Sequence, residues 1–155
     1  MIQRIQSVFL LLTTILAGLF LTGEIFKFFD SNNSEFLMNM NGFFRIGSAR
    51  ELLPVVKTIP LQVLSLSIPV VSICSIFLFK NRKIQLKVVL LLFILNLLLI
   101  GIAAFYGISF MNRHQLNIVP RFEMFIPFVN AFLIILAYRG IKNDENLVRS
   151  YDRLR

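Results

Sequence analysis

The sequence predicts an all-α membrane protein: a four-transmembrane-helix bundle with a small extracytoplasmic β-hairpin between helices 1 and 2 and a short cytoplasmic amphipathic C-terminal helix. Composition is the first observation behind this. Of 155 residues, 57% are hydrophobic and 15% charged, with mean hydropathy +0.77, whereas a soluble domain is about a quarter charged. The second is that the charges cluster between long apolar runs. The third is the segment 79–87, which places Lys80, Arg82, Lys83 and Lys87, with no acid, between two charge-free runs, 58–79 and 88–112. Each run can cross a bilayer core, which takes roughly 20 helical residues. A tight basic loop between two such runs makes a helical hairpin with its turn on the cytoplasmic side. The chain then reads as a single membrane domain, 1–155. Its spans lie at about 5–22, 58–79, 88–112 and 118–138, with an outer loop at 23–57 and a cytoplasmic tail at 139–155.

The N-terminus resembles a signal peptide, with Arg4 ahead of an apolar stretch, but no small-x-small cleavage site follows. It is read as an uncleaved first span. Thr13 and Thr14 are tolerable in it, because a threonine hydroxyl can bond to the carbonyl one turn earlier. The outer loop carries four acids (Glu24, Asp30, Glu35, Glu51) and four cations (Lys27, Arg45, Arg50, Lys57), a balance that crosses a membrane easily. Residues 30–34 read as a turn.

Asn41-Gly42 predicts a type I′ turn, pairing Met40 with Phe43 and Met38 with Arg45. Phe36, Met38, Met40 and Phe43 would then share one face, and Leu37, Phe44 and Ile46 the other, with Asn39. A lone hairpin is marginally stable in water, so this one is expected to rest on the helix ends or on a partner. Ser48 and Glu51 fit a capping box and predict a short helix there.

The second span contains Pro69, expected to kink it, together with Ser65, Ser67, Ser72, Ser75 and Cys74. With no accompanying charge, these small residues read as packing surface rather than a polar path. The third span has Asn96 near its middle, read as an interhelical hydrogen bond. Its later small-residue patch, Gly101, Ala103, Ala104 and Gly107, suits close contact with another helix. The outer loop that follows holds His114, the sole histidine, read as a solvated surface residue. The fourth span has a charge-free core at 124–138, short for a crossing. It is expected to begin near Ile118, with Arg121 and Glu123 in its first turns, pairing with each other or snorkelling to the interface. In the tail, Ile141, Leu147, Val148, Tyr151 and Leu154 recur at roughly helical spacing. Glu145 and Arg149 stand four apart and can pair. The tail reads as an amphipathic helix touching headgroups or a partner.

The net charge of +8 follows from the positive-inside rule rather than from nucleic-acid binding. The proposed cytoplasmic segments carry ten cations and three acids; the outer segments carry six and five. Both termini are therefore expected in the cytoplasm. Cys74 is the only cysteine, so the paired thiols of thiol–quinone chemistry are absent. Nor do Cys and His residues show metal-ligand spacing. Neither an enzyme nor a cofactor is expected.

Residues 137–155, AYRGIKNDENLVRSYDRLR, closely resemble the end of a bacterial family of four-span membrane proteins catalogued as a domain of unknown function. Residues 1–7, MIQRIQS, resemble its start. The resemblance implies four spans and an inner-membrane location, and it carries no activity or site residues. A looser likeness, in architecture alone, is to claudin-like tetraspans; the tryptophan and cysteine pair of that group are missing here. The expected function is a non-catalytic accessory or assembly subunit of a larger bacterial inner-membrane complex, the alternative being a small transporter or channel component. Its partners would be the lipid bilayer and other membrane subunits. The partner-contact candidates are Phe36, Met38, Met40, Phe43 and Phe44 in the hairpin, and Leu147, Arg149, Tyr151, Asp152 and Arg153 in the tail.

Overall fold

A computed structural model describes residues 3–30, 35–46 and 52–153. Four helices are long and apolar enough to cross a membrane: α1 (Gln3–Thr22), α2 (Ile59–Phe77), α3 (Arg82–His114) and α4 (Ile126–Arg153). They stand in a ring in which α1 and α3 each pack against both α2 and α4.

Each helix buries one stripe at alternating spacings of three and four residues. In α1 the stripe is Gln6, Leu10, Thr13, Ala17 and Phe20; in α2 it is Leu61, Ser65, Ile68, Ser72 and Ser75. In α3 it runs from Gln85 through Val89, Leu92, Asn96 and Leu99 to Ala103, and in α4 from Asn130 through Ile134, Ala137 and Ile141 to Asp144. A period near 3.5 is the seam of a left-handed, coiled-coil-like bundle. The buried polar residues of these helices lie on the seams, while Leu, Ile, Val and Phe dominate the outward faces. Lipid is as apolar as leucine, so helices in a membrane associate through small side chains and interhelical hydrogen bonds. Ser72 Oγ accordingly donates to Leu10 O at 2.9 Å, tying α2 to α1. Asn96 Nδ2 donates to Pro127 O at 2.8 Å, tying α3 to α4. The Thr13 and Thr14 hydroxyls bond back to Phe9 O and Leu10 O, as expected for threonines in a span.

The all-α expectation needs correction. The loops at one end of the bundle build a five-stranded antiparallel sheet, ordered β4-β3-β2-β1-β5. Its strands are β1 (Glu24–Phe29), β2 (Glu35–Asn39), β3 (Gly42–Ile46), β4 (Leu52–Lys57) and β5 (Asn117–Pro120). The expected β2–β3 hairpin is its centre, but the turn falls one residue earlier. Asn39 pairs with Gly42, and Met38 with Phe43 rather than Arg45. Met40 and Asn41 form the turn, with the Asn41 N–H donating to Asn39 Oδ1 at 2.9 Å, a side-chain-capped turn. Only Gly42 takes a positive φ there, +145°, so this is not a type I′ turn. Moving the turn by one residue moves each partner by two, which leaves every side chain on its expected face.

The segment expected to become a short helix after Ser48 and Glu51 is strand β4 instead; those two residues lie outside the described ones, as does most of the 30–34 turn. Leu52–Lys57, with β-branched Val55 and Val56, takes the edge, where Pro54 lacks only an unneeded donor. Pro120 sits likewise on the opposite edge strand, β5.

Three helix boundaries also differ. The third span lengthens to 33 residues, about 50 Å at 1.5 Å per residue, because residues 82–87 are good helix formers and Gln85 packs inside. The fourth begins at Ile126, after a 3-10 turn at Phe122–Phe125; residues 117–120 are drawn into the sheet by pairing with β1. The separate amphipathic tail helix is absent. Residues through Arg153 continue α4 without a break, since Gly140 alone is a weak breaker and no proline follows Pro127.

The sheet sits on the end of α3. The Phe110 ring stacks on Phe43 at 4.0 Å between centroids and 15°, and meets Phe28 and Phe36 edge-on at 5.3 and 5.8 Å. Gly107, one turn earlier, lets the Phe26 ring close in: a Cβ there would lie 2.9 Å from Cε2 of Phe26. The partner of this small residue is thus a strand and not the neighbouring helix that its sequence context suggested. A Cβ at Gly101 would meet open space.

Candidate functional site

The site is best assembled from the sheet outward. Met38 and Phe43 are almost wholly buried and Phe36 is half-buried, all on the face that meets Phe110. Of the hairpin's partner-contact candidates, these three therefore pack against the chain's own helix. Met40 is half-buried in the turn, with Ser65 Oγ 3.7 Å from its Sδ. Phe44 is half-buried on the opposite face. The turn is also fastened to α2: Thr58, the residue before that helix, donates from its N–H to Asn41 O at 3.4 Å and from Oγ1 to Met40 O at 3.3 Å. Leu147, Arg149, Tyr151, Asp152 and Arg153 all fall within the α4 backbone, and their side chains lie outside the described residues.

The outermost strand, β4, was not anticipated as a contact surface. Leu53, Val55 and Val56 are 51%, 45% and 47% exposed, so an apolar edge stands free on both faces. A bulge between Phe43 and Phe44 skips Val55 in the register. An edge strand offers its outer N–H and C=O groups to another strand, and proteins commonly use such edges to add a partner's strand. The cue in the sequence was Val55-Val56 flanking a proline, a β-branched run that the neighbouring capping-box reading obscured.

Two ion pairs lie on the sheet. Lys27 Nζ lies 2.9 Å from Glu35 Oε2 across β1 and β2. Arg121 Nη2 lies 3.2 Å from Glu24 Oε2, so Arg121 pairs with β1 rather than with Glu123, whose side chain packs against Gly23. The Arg121–Glu24 contact is an ion pair without hydrogen-bond alignment. Both pairs are partly exposed and contribute little. The His114 ring is 4.6 Å from that of Phe110 and is otherwise exposed. Cys74 is exposed on α2. Among the described residues no three His, Cys, Asp or Glu side chains gather as a metal site.

At the opposite end, a polar brace ties all four helices. Gln6 Nε2 of α1 donates to Asp144 Oδ2 of α4 at 2.7 Å, both buried. Arg82 Nη1 of α3 donates to Asp144 O at 2.8 Å, and Gln85 Nε2 donates to Ser75 O of α2 at 3.0 Å. A buried group left unpartnered costs about 1–3 kcal/mol, so this brace fixes the register of the bundle. Higher up, the buried Asn96 Oδ1 and Asn130 Oδ1 have no hydrogen-bond partner among the described residues.

No curated protein matches the chain. The family model described as Domain of unknown function (DUF4293) matches residues 2–154, nearly the whole length from first helix to last, and the chain belongs to that family.

Proposed function

We propose that this DUF4293 protein is a non-catalytic accessory or assembly subunit of a larger complex in the bacterial inner membrane. The observation that carries the reading is β4: an apolar strand edge, half exposed at Leu53, Val55 and Val56, on a sheet packed on the bundle through Phe110. A partner subunit's strand or apolar loop would cover it. A photo-crosslinking amino acid at position 55 is expected to give a higher-mass adduct in intact cells, whereas the same group at exposed, lipid-facing Val63 gives mainly lipid adducts. A monomer in every mild detergent, with no protein adduct at position 55, would sink the subunit reading. A small transporter or channel component is the second reading, favoured by the two unpartnered amide oxygens of Asn96 and Asn130. It would require flux through vesicles holding this chain alone.

In this reading the sheet is extracytoplasmic, and both termini, with the basic 80–87 segment, face the cytoplasm, as the Lys and Arg bias directs. Single cysteines at Ser34, Asn81 and Asn146 in a Cys74→Ala background test this. An impermeant thiol reagent added to spheroplasts should label position 34 alone. Labelling at 146 but not at 81 would mean three crossings and overturn the topology.

A further inference from the structure

A groove of about 410 Å³ runs between α3 and α4 at the end away from the sheet. The half-buried Phe93 lies along its bottom above the buried Val89 and Ile134, and its rims are the exposed Leu90 and Ile135. Tyr138, Arg139 and Lys142 close one end. On a helix, residues three and four apart share a face, so Ile135, Tyr138, Arg139 and Lys142 form one continuous stripe along α4. From Ile135 to Lys142 this stripe rises about 10 Å, passing from wholly apolar to doubly cationic. Arg139 and Lys142 lie within the last eight residues of the apolar segment Phe122–Asn146, which a bilayer around these helices would bring to headgroup level. Among the described residues neither cation has a carboxylate within ion-pair distance. Asp144, the acid nearest in sequence, points the other way, into its bond with Gln6.

We infer that this groove binds an anionic phospholipid, its phosphate between Arg139 and Lys142 and an acyl chain against Leu90, Phe93 and Ile135. The volume is that of a ligand site, about 300–1,000 Å³. The gradient of polarity matches one amphiphile. An apolar helix laid there would bury two cations without a counter-charge, whereas a phosphodiester supplies the charge at the level where the cations stand. Basic pockets between transmembrane helices bind acidic headgroups in this way.

Native mass spectrometry of the whole protein with equimolar phosphatidylglycerol and phosphatidylcholine tests it. Wild type should retain phosphatidylglycerol with about a thirtyfold preference, the worth of two basic side chains near an anionic surface. Arg139→Gln with Lys142→Gln, both exposed positions, should abolish the preference. Lys83→Gln with Lys87→Gln, cations outside the groove, should keep it. Ile135→Trp, which fills the groove, should lose retention while Arg139 and Lys142 remain. Equal retention of the two lipids, or a preference untouched by the Arg139/Lys142 pair, overturns the site. Displacement of the lipid by millimolar inorganic phosphate would reassign the site to a soluble anion. A dimer broken by Ile135→Trp would reassign it to a second copy of the chain.

Discussion

Phe110→Ala is expected to release the sheet from the helical bundle. The Phe110 ring is nearly buried and is the shared partner of Phe28, Phe36 and Phe43, one ring from each of β1, β2 and β3. Truncating a buried phenylalanine costs about 3–5 kcal/mol through lost transfer energy and the cavity left behind. Here that loss falls on the interface between two substructures. The sheet's inner face would lose its cover at the membrane surface, while the helix seams, with their own hydrogen bonds, would stay closed. Amide hydrogen exchange in β1–β3 should accelerate by about a hundredfold or more, as local opening becomes that much easier. Exchange in α1 and α2 should change little. Phe110→Leu, which keeps most of the apolar volume, should lie much closer to wild type. Unchanged protection of the three strands in Phe110→Ala would show that other contacts hold the sheet in place.

Gly42→Val should open the sheet from its other side. At φ +145° a β-branched residue is a steric outlier, with strain of about 1–3 kcal/mol. The added Cβ would also run into the backbone carbonyl oxygen of Val56, an atom that moves only if β4 moves. The pairing of Gly42 with Lys57 and the Thr58 bonds to the turn would go together, freeing β4 from β3. The expected readout is loss of exchange protection in β3 and β4 with β1 and β2 retained. Insertion of all four helices should be unaffected, because it depends on hydropathy. Asn41→Ala, which keeps the backbone N–H bonded to Asn39, should be mild by comparison. Equal protection in Gly42→Val and wild type would refute the role assigned to this glycine. Should the subunit proposal hold, the same variant should also lose the crosslink at position 55.

Much of the site lay in residues whose local pattern was ambiguous. Asn41-Gly42 announced a turn, and the alternation of Phe36, Met38 and Phe43 announced a buried face; both survive, with the turn one residue earlier because the Asn39 side chain caps it. The flanking strands were harder to read. Residues 24–29 and 117–120 are 88 or more positions apart; alone, the first reads as part of the outer loop and the second as the start of the fourth span. Only their pairing through Phe26–Pro120 and Phe29–Asn117 makes them strands. The polar seam carried a clue that went unread. Gln6 and Thr13 stand seven apart, as do Ser65 and Ser72, and a heptad of polar residues in an apolar span marks the face turned to its neighbours. Which partner each finds was not legible, since Gln6 and Asp144 are 138 positions apart.

By itself, the sequence determined that four helices are long and apolar enough to cross a membrane, and it marked the basic segment between the second and third. These follow from hydropathy and charge, which any window of about 20 residues displays without reference to the rest of the chain. It also determined that threonines and an asparagine could sit inside those spans, because their hydroxyl and amide groups find partners within reach. The tertiary structure alone decided that two loops from different ends of the chain would merge into one sheet, that Arg121 would answer Glu24 instead of Glu123, and that β4 would be left with a bare edge. Backbone N–H and C=O groups in a loop must be satisfied by something. Where the satisfying strand is far away in sequence, only the closed ring of helices, bringing residue 24 beside residue 121, determines which strand it is.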